Sequence, residues 1–354
     1  MRFSRFFPFV FALGSCLFGE GALHGTIRGE LDLEGLLAKG KKVVTATKKI
    51  YLEDYPDAHN PSILKVDEGI LLIFRYKPDD YHQPWLSLIG VVLLNEQFEP
   101  ISPVQVLSTR LKYSKTPCQS EDPRIFSYRG RNYVIYNDNI EVFDPTNADR
   151  RDMFIVEIYK ENNEYKFAKP LKIYHAEKYR YVLWQKNWVP FEWNKTLLLT
   201  YTINPHEILC PDLTSGAAYP LYKTAPTFEW DYGTLRGSSP PLLVDGEYLS
   251  FFHSGKVMKS PISRGQDRWH YFMGAYTFSA QPPFAITKTT PLPIVGEGFY
   301  TEGPHLKKVN FPGGFVVDDQ KIYVAYGKDD VEMWIATLDK QELKNVLVPV
   351  KAEE

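Results

Sequence analysis

The sequence predicts an all-β protein, a five-bladed β-propeller preceded by an N-terminal signal peptide. Three observations support this prediction: one residue pattern recurs five times, further strand-like runs fill the intervals between the repeats, and long amphipathic helices are scarce. The best helix candidate lies near residues 30–41. Four-stranded sheets repeated radially form a propeller, and radial closure protects the many strand edges that such a chain would otherwise expose.

Each repeat has a proline near its start, and polar residues precede it in most repeats. The prolines are Pro61, Pro123, Pro190, Pro241 and Pro312. Two short apolar runs separated by a turn containing Gly, Asp or Asn follow, which predicts a β-hairpin. Strand-like runs such as LSLIGVVLLN and DMFIVEIYK supply a second pair of strands. Proline is tolerated there because the first residue of a strand need not donate to the hydrogen-bond ladder.

The N-terminus has the features of an export signal. Arg2 and Arg5 precede an apolar run over residues 6–18, which is shorter than the ~20 residues that a membrane-spanning helix needs. We therefore expect residues 1–25 to be a signal peptide and residues 26–354 to form the propeller domain.

The type of signal is open between two alternatives. The run LGSC, which ends at Cys16, resembles a bacterial lipoprotein signal, and an ordinary cleaved signal is the alternative. Either predicts an exported protein that is periplasmic, secreted or lipid-anchored, with membrane contact only through such an anchor. In an oxidising compartment Cys118 and Cys210 could form a disulfide, or both could remain buried thiols.

Charge and motif content argue against several classes of function. The formal net charge is -2 and no long run of Lys or Arg occurs, so we expect no nucleic acid partner. The sequence also lacks a Gly-rich phosphate loop, an HExxH motif and a paired CxxC motif. We therefore expect no metal site and no cofactor.

The polar residues at the starts of the repeats differ from one repeat to the next. They are His59-Asn60, Glu121-Asp122, Lys186-Asn187 and Arg236-Gly237-Ser238, whereas the fifth repeat has the apolar Phe311 at this place. If the first strands are innermost, these residues surround one mouth of the central channel. A purely structural repeat would place interchangeable small polar residues there, so the variety favours a shared binding site.

Asp122 is the acid that we select as a catalytic residue. A general acid must be protonated when substrate arrives, which burial or a neighbouring carboxylate promotes by raising its pKa. Since adjacent residues of an extended strand face opposite sides, we expect Glu121 to pack into the blade and Arg124 to face the same side as Asp122. An ion pair between Glu121 and Arg124 that only fixes the strand start is the alternative.

Three cationic or potentially cationic residues lie in or near different hairpins. If Arg75, Lys186 and His253 converge on one channel, they form an anion site that suits phosphate or carboxylate. Asn187, next to Lys186, either donates to a sugar hydroxyl or is a turn residue.

The motifs taken together are similar to those of a known enzyme family. They are NPS at Asn60, EDPRIF at Glu121, KNWVPF at Lys186, SSPP before the run FFHSG around His253, and FPGG followed by YVAYGKDD from Phe311. In this order they resemble glycoside hydrolase family 130 and its β-mannosyltransferase relatives. The resemblance covers roughly residues 55–340 and implies a five-bladed propeller that acts on β-mannosidic bonds.

The resemblance also implies roles for individual residues. Asp122 would give its proton to the glycosidic oxygen, and Lys186 and His253 would contact phosphate. The expected substrate-binding residues are Asn60, Arg75, Arg124, Asn187 and Asp330, of which Arg75 is also a third phosphate candidate. A further phosphate-binding arginine has several possible matches, which are Arg150, Arg151 and Arg180.

The expected reaction is cleavage of a β-mannosidic bond in an oligosaccharide or glycan by single displacement with inversion. Inorganic phosphate, as a co-substrate, would need no base, whereas water would need a second carboxylate to activate it. Glu192, Glu302 and Asp330 are the candidates for that base. A β-mannosyltransferase on the same scaffold and a non-catalytic carbohydrate-binding propeller are the alternatives.

Overall fold

The computed structural model describes residues 43–78, 86–110, 118–139, 150–301 and 305–352. The predicted signal peptide, its lipoprotein-type cysteine and the best helix candidate lie outside these ranges.

Strands make up most of the described chain. The first thirteen are β1 (Val44–Ile50), β2 (His59–Val66), β3 (Gly69–Tyr76), β4 (Leu88–Leu94), β5 (Gln105–Leu107), β6 (Glu121–Tyr128), β7 (Arg131–Asp138), β8 (Asp152–Glu161), β9 (Glu164–Phe167), β10 (Leu171–His175), β11 (Val189–Trp193), β12 (Thr196–Thr202) and β13 (His206–Pro211). The next thirteen are β14 (Ala217–Thr224), β15 (Pro226–Thr227), β16 (Thr234–Gly237), β17 (Leu242–Val244), β18 (Glu247–Met258), β19 (Arg268–Ser279), β20 (Ile286–Thr289), β21 (Lys307–Lys308), β22 (Asn310–Val317), β23 (Lys321–Lys328), β24 (Glu332–Asp339), β25 (Val348–Pro349) and β26 (Lys351–Ala352).

Helices are few among the described residues. One α-helix, α1 (Lys340–Val346), follows β24, and a single 3-10 turn spans Pro261–Ser263. The Asp339 carboxylate accepts the Glu342 N–H at 2.8 Å and caps the start of α1. The prediction of an all-β protein is confirmed, although α1 was not predicted.

All five predicted hairpins are present. The strands pair antiparallel as β2–β3, β6–β7, β11–β12, β17–β18 and β22–β23. Three of these hairpins turn through two residues of positive φ, which are Arg129-Gly130, Asn194-Lys195 and Asp245-Gly246. Such turns match the right-handed twist of the strands that they join.

Further strands extend each hairpin into a larger sheet. Two four-stranded sheets have the orders β2-β3-β4-β5 and β22-β23-β24-β1. A third sheet has the order β6-β7-β8-β10-β14-β13-β12-β11 and so contains two of the hairpins. A fourth has the order β16-β18-β19-β20-β25. Off these paths β9 pairs with β8, β17 with β18 and β21 with β19, while β15 pairs with β26. Because β1 pairs with β24, strands near the two ends of the described chain share one sheet.

Neighbouring sheets pack face to face through apolar side chains, as β3 illustrates. Leu72 and Phe74 on one face of β3 share a buried cluster with Ile335 of β24. Leu71 on the opposite face belongs to a second cluster with Val134 of β7. The leading strands β2, β6 and β22 also contact one another. The starts of strands that are distant in sequence therefore meet in one place.

Two further findings concern the predicted compartment. Cys118 is buried and Cys210 is half-buried, and both are free thiols, which is the second of the two alternatives for this pair. Among the described residues, no helix combines the length and the apolar character that crossing a bilayer requires.

Candidate active site

The polar residues that lead into three of the hairpins share an unusual backbone conformation. Asn60, Asp122 and Asn187 have φ values of 50, 52 and 65 degrees. Few non-glycine residues adopt this left-handed region, and Asn and Asp tolerate it best. The pairing registers of β2 with β3 and of β6 with β7 shift at the first two of these residues. A bulge of this kind changes the direction of the side chains around it.

These starts of strands surround a cleft. It is lined by Asn60, Arg75, Glu121, Asp122, Lys186, Asn187, Arg236, His253, Tyr271, Lys307, Val309, Phe311 and Asp330. The structure thus brings together seven of the predicted site residues: Asn60, Arg75, Asp122, Lys186, Asn187, His253 and Asp330.

Glu121 and Asp122 both line this cleft, so the predicted alternation of their side chains is wrong. The alternation fails because it requires extended backbone, and the left-handed φ of Asp122 interrupts the strand at that residue. The alternative ion pair between Glu121 and Arg124 is not formed, since the partners of Glu121 are other cations.

Glu121 is the centre of a buried ion-pair network. One carboxylate oxygen lies 2.8 Å from Arg75 Nη2, and the other lies 2.7 Å from Lys186 Nζ and 3.2 Å from Arg151 Nη1. Glu121 is only 7% exposed, and burial opposes its ionisation, but the charges of Arg75, Lys186 and Arg151 outweigh burial and hold its pKa well below the usual value. Glu121 is therefore a fixed anion that organises cations around the cleft.

Asp122 has a different environment from its neighbour. It is half-buried, and Asn60 Nδ2 donates to its Oδ1 at 2.9 Å. Its main-chain carbonyl accepts a hydrogen bond from Arg124 Nη1 at 3.0 Å. The carboxyl group is thus directed into the cleft by contacts to the side chain and to the main chain.

Arg124 is fully buried and is not among the residues that line the cleft. Its Nε donates to the Ser238 carbonyl, and its Nη2 lies 3.1 Å from Asn187 Oδ1 and 3.4 Å from the Gly237 carbonyl. Burial lowers its pKa to about 10, against the opposing effect of the Asp122 charge, so the guanidinium remains charged at neutral pH. The predicted sugar contact stays a prediction, and these contacts tie the Asp122 main chain to two other parts of the site.

His253 lies at the back of the cleft as a neutral imidazole. Burial first, and then the charges of Arg236, Arg124 and Lys186, place its pKa well below 6.5. Its Nδ1 is hydrogen-bonded to the Ser238 hydroxyl. Since a neutral ring has one donor and one acceptor nitrogen, a ring whose Nδ1 accepts the serine hydroxyl proton presents Nε2–H as a donor.

Three cleft residues were not among the predicted site residues: Arg236, Tyr271 and Lys307. Arg236 pairs with His253 across β16 and β18, which puts both side chains on the same face. Lys307 Nζ lies 3.6 Å from Asp330 Oδ2. Arg236 was noted before the fourth repeat, and that position was a usable signal. Tyr271 and Lys307 carried no signal, because the pairing of β19 and β21 brings them to the cleft.

Arg236 differs from Arg75, Lys186 and Lys307, each of which has a carboxylate partner. Within the described residues, its guanidinium has no ion pair and no side-chain hydrogen bond, although it is half-buried at the cleft. A guanidinium in this position is suited to binding a planar or tetrahedral anion.

The remaining candidates lie elsewhere. Glu192 does not line the cleft; it lines a separate opening, where its Oε2 accepts the Arg129 N–H at 2.9 Å. Glu302 lies outside the described residues.

The three candidates for a further phosphate-binding arginine do not line the cleft either. Arg150 pairs with Asp152, Arg151 pairs with Glu121, and Arg180 is exposed. In the described ranges, no group of three or more His, Cys, Asp and Glu side chains is arranged to hold a metal ion.

Comparison with known proteins identifies the family. The sequence model of glycoside hydrolase family 130, described as beta-1,4-mannooligosaccharide phosphorylase, matches residues 39–348. The chain belongs to glycoside hydrolase family 130. It is therefore a mannoside-active enzyme of the phosphorylase and hydrolase class, as the resemblance of the ordered motifs implied. A search of the curated proteins found no match to the chain.

Solved structures of low sequence identity have the same fold. A beta-1,2-mannobiose phosphorylase from Listeria innocua, in complex with beta-1,2-mannobiose, has a TM-score of 0.57 and 16% identity, covering 86% of this chain and 94% of that chain. A mannose phosphorylase from Leishmania mexicana, in complex with a phosphate ion, has a TM-score of 0.60 and 12% identity, covering 90% and 95%. A glycosyl hydrolase from Bacteroides ovatus has a TM-score of 0.59 and 14% identity, covering 89% and 94%.

Proposed function

We propose that this enzyme cleaves β-mannosidic bonds by single displacement with inversion, with Asp122 as the general acid. The observation that carries the proposal is the contrast between two adjacent acids in one cleft. Glu121 is held as an anion by three cations, whereas Asp122 is bound by a neutral amide and is directed into the cleft. Asp122 is therefore the better source of a proton for the leaving oxygen.

The cations of the cleft support inorganic phosphate as the nucleophile. Arg75, Lys186 and Arg236 line the same cleft as the neutral imidazole of His253. Phosphate attacks the anomeric carbon from the face opposite Asp122, and it needs no base because it is already an anion. Asn187 and Asp330 line the cleft and are proposed to bind the sugar.

Hydrolysis is the second candidate, and one observation favours it. Asp330 is the predicted base that lies in the cleft with Asp122, and a base would allow water to replace phosphate. The predicted export of the protein also suits hydrolysis or mannosyl transfer at surface glycans. Residues 1–25, which carry that prediction, are proposed to be a signal peptide, with or without a lipid anchor.

The nucleophile is tested by incubating β-1,4- and β-1,2-mannobiose with and without inorganic phosphate. We expect mannose 1-phosphate to form only when phosphate is present. If free mannose forms at the same rate without phosphate, the enzyme is a hydrolase and not a phosphorylase. Extension of a mannoside acceptor from a mannose donor, without cleavage of mannobiose, would indicate a transferase.

The proton donor is tested with Asp122→Asn. We expect kcat on mannobiose to fall by about 10²–10⁴, the usual contribution of general acid catalysis, while mannobiose binding survives. Unchanged kcat would remove Asp122 from the mechanism. Sugar binding by the wild type without any turnover would support the carbohydrate-binding alternative.

The propeller architecture is also part of this proposal, with the five hairpins heading five blades. Five buried apolar clusters support it. Four lie between neighbouring sheets, one of which joins the β2-β3-β4-β5 sheet to the β22-β23-β24-β1 sheet, and the fifth lies between the two halves of the sheet that runs from β6 to β11. An experimental structure with a different number of radial sheets would contradict it.

A further inference from the structure

Asn60 contacts the proposed general acid through a short hydrogen bond. Its side chain is only 3% exposed, and its Nδ2 donates to Asp122 Oδ1 at 2.9 Å. The two residues have nearly the same left-handed φ, at 50 and 52 degrees, and lead into neighbouring strands. We infer that Asn60 is a positioning residue that determines which oxygen of Asp122 carries the catalytic proton. This inference rests on the proposed role of Asp122.

The chemistry of the amide gives the contact its direction. An amide N–H only donates, so the oxygen that it contacts must offer a lone pair. In a protonated carboxyl group one oxygen carries the hydrogen, and the other, the carbonyl oxygen, is the stronger acceptor, so the donation from Asn60 favours Oδ1 as the carbonyl oxygen. The proton is then on Oδ2. As the bond between the anomeric carbon and the glycosidic oxygen breaks, its electron pair goes to that oxygen, which takes the Oδ2 proton and leaves Asp122 as a carboxylate.

The position of Asn60 is itself enforced by a close backbone contact. A Cβ added to Gly327 in β23 would overlap Asn60 Oδ1 and would lie 2.9 Å from the Asn60 nitrogen and 3.0 Å from its Cα. Gly327 lies outside the cleft lining. Only glycine permits this approach, so Gly327 and the Asn60 amide form one packing unit behind Asp122.

The amide oxygen of Asn60 also supports a functional role for this residue. Within the described residues, Asn60 Oδ1 is buried and has no hydrogen-bond partner. A buried acceptor without a partner destabilises the fold, and such a group needs an explanation other than stability. Directing Nδ2 towards Asp122 is that explanation.

The test separates a residue that acts through Asp122 from one that binds sugar. Mannobiose has a poor leaving group that needs a proton, whereas 2,4-dinitrophenyl β-mannoside has a leaving group that departs without one. Asn60→Gly removes the amide and keeps a residue suited to positive φ. We expect it to lower kcat on mannobiose about tenfold, the loss of one ~1.4 kcal/mol hydrogen bond, and to change kcat on the dinitrophenyl substrate by less than about threefold.

Gly327→Ala provides a second route to the same result. It leaves every polar group of the cleft in place but displaces the Asn60 amide. We expect the same selective loss on mannobiose with an unchanged KM. If Gly327→Ala does not fold, as judged by near-UV circular dichroism, Asn60→Gly decides the question alone.

Asn187→Gly is the matched control. Asn187 has the same left-handed φ and lines the same cleft, but its Oδ1 accepts from Arg124 rather than contacting Asp122. We expect its effect to be equal on the two substrates. Equal losses for Asn60→Gly on both substrates, or a raised KM with unchanged kcat, would make Asn60 a sugar contact and overturn the inference. If Asp122→Asn lowers kcat equally on mannobiose and on the dinitrophenyl substrate, the proposed role of Asp122 as general acid is refuted instead.

Discussion

The leading strands of the sheets line two openings that differ in chemistry. Their starts line the charged cleft, whereas later residues of the same strands line a second opening, which we call the apolar opening. It is formed by Ile63, Leu64, Ile125, Phe126, Ser127, Pro190, Phe191, Glu192, Asn194, Pro240, Pro241, Leu242, Leu243, Tyr248, Gly314 and Phe315. The cleft collects charges where strands begin with bulges, and the apolar opening collects aliphatic and aromatic side chains where the strands are regular.

An acid at each opening shows what this difference means. Glu121 at the cleft is buried and has three cationic partners. Glu192 at the apolar opening accepts a single main-chain N–H from Arg129. The same residue type is thus part of a charge network at one end and a local turn contact at the other.

The largest expected effect comes from breaking the cleft network with Glu121→Gln. The substitution leaves the charges of Arg75, Arg151 and Lys186 without their common partner in a buried setting. Removing one partner of a buried ion pair typically costs about 3–5 kcal/mol. We expect a loss of this size in the free energy of unfolding, measured by urea denaturation at pH 7.

Glu192→Gln at the apolar opening is the matched control for that experiment. It removes a charge but keeps an acceptor for the Arg129 N–H, so we expect a change below about 1 kcal/mol. Equal losses for the two variants would contradict the distinction between the openings.

The second effect concerns acid pH and a buried histidine that precedes Asn60 in the chain. Burial first, and then the Arg75 charge, lower the pKa of His59 to about 4 from 6.5, although its hydrogen bond to the Asp57 carbonyl acts in the opposite direction. In the unfolded chain His59 therefore becomes protonated below about pH 6.5, whereas in the folded protein it becomes protonated only near pH 4. The free energy of unfolding should fall by up to about 3 kcal/mol over this interval, since one pKa unit equals ~1.4 kcal/mol.

His59→Asn tests the origin of this loss. The asparagine amide can replace Nδ1 as donor to the Asp57 carbonyl, but it does not titrate. Urea denaturation of both proteins between pH 7 and pH 4 should give a flatter curve for the variant. Parallel curves would show that His59 is not responsible.

The smallest of the three effects sharpens the assignment of the cleft cations. Arg236→Gln removes a guanidinium that has no ion pair or side-chain hydrogen bond among the described residues, so we expect stability to change by less than about 0.5 kcal/mol. If Arg236 contacts phosphate, the lost charged hydrogen bond of about 1.5–3 kcal/mol raises the KM for phosphate roughly 10- to 100-fold. A lower stability with an unchanged KM for phosphate would make Arg236 structural.

Local sequence signals were sufficient to predict the hairpins and to predict that residues from separate hairpins meet in one cleft. Turn residues such as Asp245-Gly246 and the proline near the start of each repeat act within a few residues. Apolar runs determine which segments become buried strands, so the positions of β6 and β7 followed from the sequence. The varied residues before the prolines then marked one end of the strands as the site.

The directions of individual side chains did not follow from the sequence, and only the tertiary structure decided them. The bulge at Asp122 brings Glu121 into the cleft against the expected alternation. Three further features depend on strands that are far apart in the chain. They are the burial of Arg124, the contact of Asn60 with Asp122, and the position of Glu192 at the apolar opening. Periodicity predicts which residues form strands, whereas the register and spacing of separate sheets determine which side chains meet.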